Sequence, residues 1–271
     1  MNKVDGVIFD WAGTTVDFGC FAPVQVFLQI FREADVEVTM AEARAPMGML
    51  KRDHIRAMLD MPRIKAHWEK QKGRPVQPED VEELYANFEP LLLASLGQFT
   101  EPLPGVVATV NSLRENGLKI GSTTGYTDSM MRILTAGAKT KGYAPDYWIT
   151  PDSTHSLGRP YPYMIFRNIE ALRLNAPWTV VKVGDTAADI EEGIRAGVWS
   201  VGVVVGSSQL GLSQAELKEL TATDKAAAIQ AAENAFLDAG ADFTIKTISE
   251  LPLTIRWIDS LLQAGLRPGV R

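Results

Sequence analysis

The sequence predicts an α/β fold, in which a Rossmann-like, mostly parallel sheet forms the core and an all-helical cap domain is inserted into it. Short apolar runs rich in β-branched residues recur at positions 7–9, 118–122, 147–149, 179–183, 200–205 and 243–245. Their almost continuous apolar character is typical of strands that are covered on both faces. Helical patterns separate these runs, and strands that alternate with helices at this spacing indicate a parallel sheet.

The helices of the predicted core are placed by their start and stop signals. The first begins near Pro104, which suits a first-turn position, and ends at Gly117. Further helical patterns follow at positions 128–139, 162–174, 188–196 and 248–262. The alanine-rich segment 226–235 is predicted to be an ordinary surface helix.

The stretch between the first and second predicted strands breaks the alternation and has helical patterns only. We therefore assign residues 1–20 and 99–271 to the core domain and residues 21–98 to the cap domain. Three prolines can each open a helix in the cap: Pro23, Pro46 and Pro78.

Three further signals refine the predicted cap helices. Thr39 and Glu42 form a capping box, which marks a helix start. The helix that Pro46 opens is expected to reach about Asp60. Pro90 lies inside the helix that begins at Pro78 and should kink or split it.

Length and charge narrow the class of protein. The 271 residues carry 27 Lys and Arg against 33 Asp and Glu, a net charge of −6, and a chain of this length suggests about two domains. This net negative charge does not favour binding to nucleic acid or to anionic membranes. No apolar run reaches the ~18 residues of a membrane helix. The N-terminus lacks a signal-peptide pattern, and the single cysteine, Cys20, cannot form an intrachain disulfide. We therefore expect a cytoplasmic protein that binds neither nucleic acid nor membrane.

Polar clusters follow four of the predicted strands, where parallel sheets bind ligands. They contain Asp10, residues 123–125, Arg159, and Gly184 with Asp185, which Asp189 follows. A single strand-end Asp often only caps a helix. Carboxylates that share a site need a counter-charge, however, and a divalent cation with oxygen ligands supplies one. With a hydroxyl, backbone N–H groups and an Arg at the same edge, the pattern favours magnesium-assisted phosphoryl chemistry.

These clusters resemble the motifs of the haloacid dehalogenase-like phosphohydrolase superfamily. Residues 10–15, Asp-Trp-Ala-Gly-Thr-Thr, resemble its first motif, Thr124 the second, Arg159 the third, and residues 184–186 with Asp189 the fourth. The helical insertion after the first motif is similar to one class of cap domain in that superfamily. One departure is informative, because phosphatases of the superfamily carry a second Asp, a general acid, where this sequence has Ala12. Without that acid an alkoxide leaves poorly.

Longer strings resemble the phosphonoacetaldehyde hydrolase, or phosphonatase, family. They lie at positions 9–17, 46–48, 51 with 54, 121–127 and 158–162, so the resemblance covers nearly the whole chain. In that family Ala replaces the usual acid and the cap supplies a Schiff-base lysine, for which the counterparts here are Ala12 and Lys51. The resemblance implies hydrolysis of the C–P bond of the small molecule phosphonoacetaldehyde to acetaldehyde and phosphate, through a Lys51 Schiff base and an aspartyl phosphate on Asp10. It also implies a homodimer.

The residue types fit that chemistry. Cleavage of a C–P bond expels a carbanion, which an iminium on Lys51 would stabilise, so the missing acid at Ala12 ceases to be a defect. A magnesium ion, Mg2+, would be held by Asp10, Asp185 and, by resemblance, the backbone carbonyl of Ala12. Asp189 would act either through ordered waters or by orienting the third-motif arginine.

The phosphonate would be held by groups that follow the first three strands. Thr124, the N–H groups around Gly125 and the Arg159 guanidinium would bind its oxygens. Gly13 would permit close backbone approach behind the nucleophile, and Tyr126 would border the site.

One face of the predicted helix that Pro46 opens carries the remaining candidates. Met47, Lys51, His54 and Met58 follow at helical spacing. Partial burial of Lys51, together with nearby Arg52, would lower its pKa and supply free amine. His54 would shuttle protons or only hydrogen-bond within the structure, and the methionines equally fit the helix core.

Two alternatives stay open from the residues alone. The first is a phosphatase or phosphomutase acting on C–O esters, against which Ala12 argues. The second is a catalytically silent binding module on the same fold, against which the intact set of Asp10, Thr124, Arg159 and Asp185 argues.

Overall fold

The structure is a computed structural model that describes residues 3–269. These residues contain a six-stranded sheet with strands β1–β6, in chain order Gly6–Phe9, Lys119–Thr123, Tyr147–Ile149, Val180–Gly184, Trp199–Val203 and Phe243–Ile245. All neighbouring strands are parallel, and their order across the sheet is β3-β2-β1-β4-β5-β6. The predicted parallel α/β sheet is confirmed.

β1 lies at the centre of the sheet between β2 and β4. All four of its residues are buried, which their small or apolar side chains permit. The chain places β2 and β3 on one side of β1 and the later strands on the other, so the strand order reverses at β1. Ligands bind at such reversals, outside the carboxyl ends of the strands.

Five helices, α1–α5, follow β1 in chain order: Phe21–Glu33, Met40–Arg44, Lys51–Asp60, Pro62–Lys72 and Pro78–Ser95. The capping box of α2 is confirmed, because the Thr39 hydroxyl accepts from the Glu42 N–H and the Glu42 carboxylate accepts from the Thr39 N–H. We call residues 21–98 the cap segment, and the domain boundaries at residues 20 and 98 stay a prediction.

Seven further helices, α6–α12, follow the cap segment: Val106–Glu115, Asp128–Thr140, Tyr163–Leu172, Ala187–Ala196, Gln214–Glu219, Ala222–Asp238 and Leu251–Gln263. The alanine-rich helix α11 is mostly exposed, as expected for a surface helix, and buries Ala232 and Phe236. Within residues 3–269, no helix is long and apolar enough to cross a membrane.

The chain enters the cap segment through a tight turn that ends at Cys20. Asp17 and Cys20 both have left-handed backbone conformations, with φ of 55° and 53°. The buried Asp17 carboxylate accepts hydrogen bonds from the N–H groups of Phe21 and Ala22, at 2.9 and 3.0 Å. It thereby satisfies the free donors at the start of α1.

The prediction of one helix from Pro46 to Asp60 is wrong in its first part, because α3 begins only at Lys51. Gly48 has a φ of 91°, and a Cβ there would overlap the Thr186 hydroxyl. The chain therefore makes a turn at residues 45–50 that brings it against the core. Consequently Met47 lies in this turn, not on the helical face that carries Lys51.

α5 runs unbroken through Pro90, so the helix is not split there. Pro90 removes one hydrogen bond to the carbonyl of Ala86. Both residues are exposed, so water can solvate that carbonyl and the interruption costs little.

Candidate active site

The candidate active site lies between the carboxyl ends of the central strands and the cap segment. Its cavity is lined by residues from both, namely Asp10, Ala12, Cys20, Met47, Gly48, Lys51, Thr124, Gly125, Tyr126, Arg159, Asp185 and Thr186. Its free space is about 20 Å³, room for about one water molecule. The sequence-predicted residues are thus brought together, except His54, Gly13 and Asp189, which do not line the cavity.

Asp10 is the first residue after β1, and its side chain is buried. One of its carboxylate oxygens, Oδ1, lies 2.7 Å from Nη2 of Arg159. The turn that follows is closed by the Gly13 N–H, which donates to the Val16 carbonyl at 2.8 Å. Gly13 has a φ of 88°, and a Cβ there would overlap the Asp185 carboxylate. This close approach explains why the position requires glycine.

Three buried carboxylates come together at this edge of the sheet. Oxygens of Asp10, Asp185 and Asp189 lie within 4.8 Å of one another. Burial raises the pKa of Asp10, and repulsion from Asp189 raises it further. Attraction to Arg159 and Lys182 lowers the pKa but does not cancel the rise. Burial, with repulsion from Asp10, raises the pKa of Asp185 well above its usual range.

The charges of this buried cluster suit a divalent cation. Two cations, Arg159 and Lys182, face four buried carboxylates, which are those of Asp10, Asp185, Asp189 and Glu192. Burial is the larger cause of the raised pKa of Asp10 and of Asp185, and this imbalance of two negative charges adds to it. Carboxylate oxygens are also the ligands that Mg²⁺ prefers. The residues present therefore fit a magnesium ion.

Asp189 is held by the protein through both of its carboxylate oxygens. Oδ1 lies 3.0 Å from Nη2 of Arg159 and 2.8 Å from Nζ of Lys182. Oδ2 accepts a hydrogen bond of 2.6 Å from the Thr186 hydroxyl. Although burial opposes it, attraction to Arg159 and Lys182 lowers the pKa of Asp189. Of the two roles expected from the sequence, this geometry favours the orientation of Arg159.

Asp185, by contrast, is fixed by the backbone of a neighbouring loop. Its Oδ2 accepts a hydrogen bond of 2.8 Å from the Ser208 N–H. Its Oδ1 is 3.5 Å from the Thr14 hydroxyl. With only these two contacts among the described residues, the Asp185 carboxylate keeps lone pairs available for a metal ion.

The loop after β2 presents Thr124, Gly125 and Tyr126 to the cavity. The Thr124 hydroxyl accepts a hydrogen bond of 3.1 Å from the Tyr126 N–H, so its own proton is available to an anion. The Tyr126 side chain is buried, and its hydroxyl has no hydrogen-bond partner among residues 3–269. Burial raises the pKa of Tyr126 well above its usual range, so the hydroxyl keeps its proton.

Lys51 is the first residue of α3 and is 4 % exposed. In the described part of the chain, its amine has no hydrogen bond or ion pair, and its nearest cation-π contact is the Tyr126 ring, 4.8 Å from Nζ. Burial lowers the pKa of Lys51, and Arg159 adds to this effect, while Asp10 and Asp185 oppose it. A position at a helix N-terminus also disfavours the ammonium form.

The expected contribution of Arg52 to this effect is wrong. Arg52 is exposed and lies 3.1 Å from Glu82 on the surface of the cap segment. Its guanidinium also lies over the Tyr85 ring. Neighbours on a helix point in different directions, so sequence adjacency did not imply proximity.

His54 is buried within the cap segment, one turn after Lys51. Its Nε2 donates to the Ala43 carbonyl at 2.9 Å, and its ring stacks on Phe27 with centroids 3.9 Å apart. Burial lowers the pKa of His54 well below its usual range, and Lys51 lowers it further. The ring is therefore neutral, with its proton on Nε2, and its Nδ1 has no hydrogen-bond partner in the part of the chain that the structure describes.

The two methionines take different places. Met47 lines the cavity from the turn before α3. Met58 is fully buried inside the cap segment, as the core interpretation expects. Cys20 also lines the cavity, and burial raises the pKa of its thiol well above its usual range.

Sequence reasoning missed two buried residues behind the cavity, Lys182 and Glu192, and it assigned no role to Thr123 within the polar cluster 123–125. Lys182 sits in the middle of β4, where its four neighbours are apolar or glycine, and this lone charge in a buried strand was an available signal. Glu192 lies one turn after Asp189 on α9, on the same helix face. That spacing was a second signal.

A family model described as haloacid dehalogenase-like hydrolase matches residues 4–197. A phosphonoacetaldehyde hydrolase of Lysinibacillus sphaericus is 54% identical over 260 residues, which cover 96% of this chain and 97% of that protein. A bifunctional phosphonoacetaldehyde hydrolase/aminoethylphosphonate transaminase of Clostridioides difficile is 51% identical over 92% of this chain and 39% of its own length. The crystal structure of a phosphonoacetaldehyde hydrolase-like protein from Oleispira antarctica superposes with a TM-score of 0.94, at 36% identity, over 98% of this chain and 96% of that one.

Proposed function

The chain belongs to the haloacid dehalogenase-like hydrolases and, within them, to the phosphonoacetaldehyde hydrolase family, and on this premise we propose that it hydrolyses phosphonoacetaldehyde to acetaldehyde and phosphate. One observation carries the proposal. A buried, unpaired lysine amine, Lys51, lines the same cavity as the carboxylate of Asp10, while Ala12 stands where a phosphatase needs an acid.

The first step uses Lys51 as a nucleophile. Its burial lowers the pKa, so a larger fraction of the amine is neutral and able to attack the substrate aldehyde. Condensation releases one water molecule and forms an imine, which becomes an iminium on protonation. The iminium carbon is bonded to the carbon that bears phosphorus, so it can accept the electron pair of the C–P bond.

Asp10 then attacks phosphorus. The C–P bond breaks, its electrons form an enamine on Lys51, and the phosphoryl group is transferred to the Asp10 carboxylate. No oxygen leaves in this step, so no acid is required at Ala12. Water hydrolyses the aspartyl phosphate to phosphate. The enamine takes a proton at carbon, and a second water molecule releases acetaldehyde from the resulting imine.

The phosphonate oxygens are held by donors that the protein leaves unused. Nη1 of Arg159 has no hydrogen-bond partner among residues 3–269, whereas Nε and Nη2 are engaged. The Thr124 hydroxyl retains its proton for an anion, and the N–H groups around Gly125 border the same cavity. Tyr126 packs beside the Lys51 amine.

We propose Mg²⁺ as the cofactor, held by Asp10, Asp185 and the backbone carbonyl of Ala12, with Asp189 next to this set. When bound, the ion offsets the repulsion between the Asp10 carboxylate and the incoming phosphonate. Arg159 orients the anion toward Asp10, and Gly13 lets the Asp185 carboxylate approach the nucleophile's loop.

His54 and Met47 are proposed to assist Lys51. Because Nε2 of His54 is committed to the Ala43 carbonyl, any proton that His54 accepts must go to Nδ1. Met47 lines the cavity beside Lys51 and excludes water from the imine. The cavity is too small for the substrate, so we infer that the cap segment (residues 21–98) moves as a domain against the core (residues 1–20 and 99–271).

The family also suggests the oligomeric state of the enzyme, its compartment and the source of its substrate. We propose a homodimer in the cytoplasm, where a single buried cysteine suits a reducing environment. The Clostridioides difficile relative joins its hydrolase to an aminoethylphosphonate transaminase. We infer that a transaminase of this kind supplies the aldehyde.

The direct test is to incubate the protein with phosphonoacetaldehyde and Mg²⁺ and to measure both products. We expect phosphate and acetaldehyde in equal amounts, with simple phosphate esters cleaved far more slowly. Preferential ester cleavage would instead identify a phosphatase or phosphomutase, and release of neither product would identify a silent binding module. Lys51 and Ala12 together favour the first result.

A further inference from the structure

A buried group of charged and polar side chains lies behind Arg159, away from the cavity. Its members are Thr123, Lys182 and Glu192, and none of them lines the cavity. All three side chains are fully buried. They therefore cannot touch the substrate, and any effect on the reaction must pass through another residue.

Glu192 makes its contacts through one carboxylate oxygen. Oε2 accepts from Nε of Arg159 at 3.0 Å and from the Thr123 hydroxyl at 2.9 Å, and it lies 3.4 Å from Nζ of Lys182. Oε1 has no partner among residues 3–269. Glu192 is thus attached to the Arg159 side chain at the nitrogen nearest the aliphatic stem.

Lys182 and Thr123 complete the attachment. Nζ of Lys182 donates to the Thr123 hydroxyl at 2.9 Å and lies 2.8 Å from Asp189. Nη2 of Arg159 donates to the carbonyl and the hydroxyl of Thr123, at 2.9 and 3.0 Å. The guanidinium is therefore fixed at Nε and Nη2, and Nη1 is the nitrogen that remains.

A buried charged cluster of this kind is not explained by its contribution to the free energy of unfolding. Buried ion pairs often contribute less than apolar residues of the same size, because both charges lose their hydration. Here Glu192 and Thr123 both contact one guanidinium, that of Arg159, which also lies 2.7 Å from Asp10. Without the attachment at Nε, the guanidinium would be held through Nη2 alone and could turn about that nitrogen, which would withdraw Nη1 from the anion.

We propose that Glu192 is a positioning residue for phosphonate binding: it anchors Nε of Arg159, with Thr123 and Lys182 holding Glu192 in place, so that Nη1 stays available for the anion. This proposal rests on the proposed function, in which Arg159 binds the phosphonate. It concerns the position of an acceptor atom and does not depend on the charge of Glu192.

Three substitutions separate position from charge. Glu192→Gln keeps an acceptor oxygen at the same reach and removes the charge. Glu192→Asp keeps the charge and withdraws the oxygen by one methylene, and Glu192→Ala removes both. Glu191→Gln is the matched control, because Glu191 lies on the same helix but is exposed and, among residues 3–269, forms an ion pair only with Arg195.

Two quantities are measured in the full-length protein with Mg²⁺: the Kd of inorganic phosphate by calorimetry, and KM and kcat for phosphonoacetaldehyde. Hydrogen bonds to charged groups are each worth a factor of about ten or more. We expect Glu192→Asp and Glu192→Ala to raise Kd and KM about tenfold or more. Glu192→Gln should raise them less than about threefold, kcat should change less than KM in each variant, and Glu191→Gln should match the wild type.

The opposite order, with Glu192→Asp closer to the wild type than Glu192→Gln, would overturn the proposal in favour of charge balance. A fall in Tm with unchanged Kd and KM would also overturn it, since that pattern indicates a structural role only. If the Glu192 variants fail to fold, Thr123→Val is the second test. At nearly constant volume it removes the hydroxyl that donates to Glu192 and accepts from Nη2 of Arg159. It should raise the Kd of phosphate, and an unchanged Kd would overturn the proposal.

The phosphate measurement separates this proposal from the proposed function. If the wild type fails to cleave phosphonoacetaldehyde while the Kd values follow the expected order, only the proposed function is wrong. If the wild type cleaves the substrate and the Kd values do not follow that order, only the positioning role is wrong.

Discussion

Substitution of Gly125 by alanine should separate the cap segment from the core without unfolding either. Gly125 lies between Thr124 and Tyr126, and a Cβ there would be 2.6 Å from the Met49 carbonyl oxygen and 2.9 Å from that of Gly48. Ordinary contact begins at 3.4 Å. Because both obstacles are backbone atoms, the turn at residues 45–50 would have to retreat by about 0.8 Å.

Lys51 follows that turn directly, so its amine would retreat with it. A displacement of about 1 Å between reacting groups can lower a rate about a hundredfold. We therefore expect Gly125→Ala to lower kcat by about 10- to 100-fold. Stability should change little, because φ of Gly125 is not left-handed and a gain of about 0.4–1 kcal/mol through the unfolded state offsets part of the cost of moving the turn.

The assay is phosphate release from phosphonoacetaldehyde at saturating substrate, with Tm measured on the same samples. Gly97→Ala is the matched control, because Gly97 also has an ordinary φ and a Cβ there would meet nothing within 4 Å. The control should keep the wild-type kcat. A Gly125→Ala enzyme with kcat within about twofold of the wild type would refute the close packing of the cap turn on this loop.

Three other substitutions test separate parts of the site. Asp10→Asn should abolish turnover in a protein with an unchanged circular dichroism spectrum, because an amide neither attacks phosphorus nor suits the metal; more than a few per cent of the wild-type kcat would contradict the nucleophile assignment. Ala12→Asp should lower C–P cleavage sharply through repulsion of the phosphonate and give little ester hydrolysis, and undiminished cleavage in a steady-state assay would show that the position is neutral. Burial raises the pKa of Asp17 from 3.8 to about 6, although hydrogen bonds from the Phe21 and Ala22 N–H groups act to lower it. The native state therefore binds this proton more tightly than the unfolded state does. Asp17 should therefore lower the free energy of unfolding by about 3 kcal/mol as pH rises from about 4 to above 6, a change that urea titrations of Asp17→Asn should lack; parallel curves for the two proteins would contradict it.

The sheet and the residues at its edge were predictable because their signals are local. Buried parallel strands need continuous apolar runs, and all six runs are strands in the structure. Parallel strands place their carboxyl ends together, which brings Asp10, Thr124 and Asp185 into one cavity. The family resemblance then supplied Lys51 and the meaning of Ala12.

The errors arose where distant parts of the chain decide the local structure. The helix expected from Pro46 is replaced by a turn because Gly48 must pass close to Thr186, a residue far away in sequence. α5 continues through Pro90 because the freed carbonyl faces solvent, which a sequence pattern does not reveal.

The partners of the buried residues behind the site could not be derived from the sequence for a similar reason, although Lys182 in an apolar strand and the spacing of Glu192 from Asp189 were signals. Lys182 looks like an interruption of an apolar strand until β2 places Thr123 beside it, 2.9 Å from its amine. In the sequence Glu192 looks like a surface helix residue, but in the fold it accepts a hydrogen bond from Arg159, which lies in the loop beyond β3. Charge pairs between separate elements carry no spacing rule, so only the folded chain identifies them.

Borohydride trapping of the Lys51 imine tests the C–P cleavage mechanism most directly. Added during turnover of phosphonoacetaldehyde, borohydride should reduce the imine and inactivate the enzyme, with the added mass on the peptide that contains Lys51. Lys51→Arg keeps the positive charge but cannot condense with an aldehyde, so it should give neither adduct nor turnover. An adduct on a different lysine, or C–P cleavage by Lys51→Arg, would contradict the mechanism.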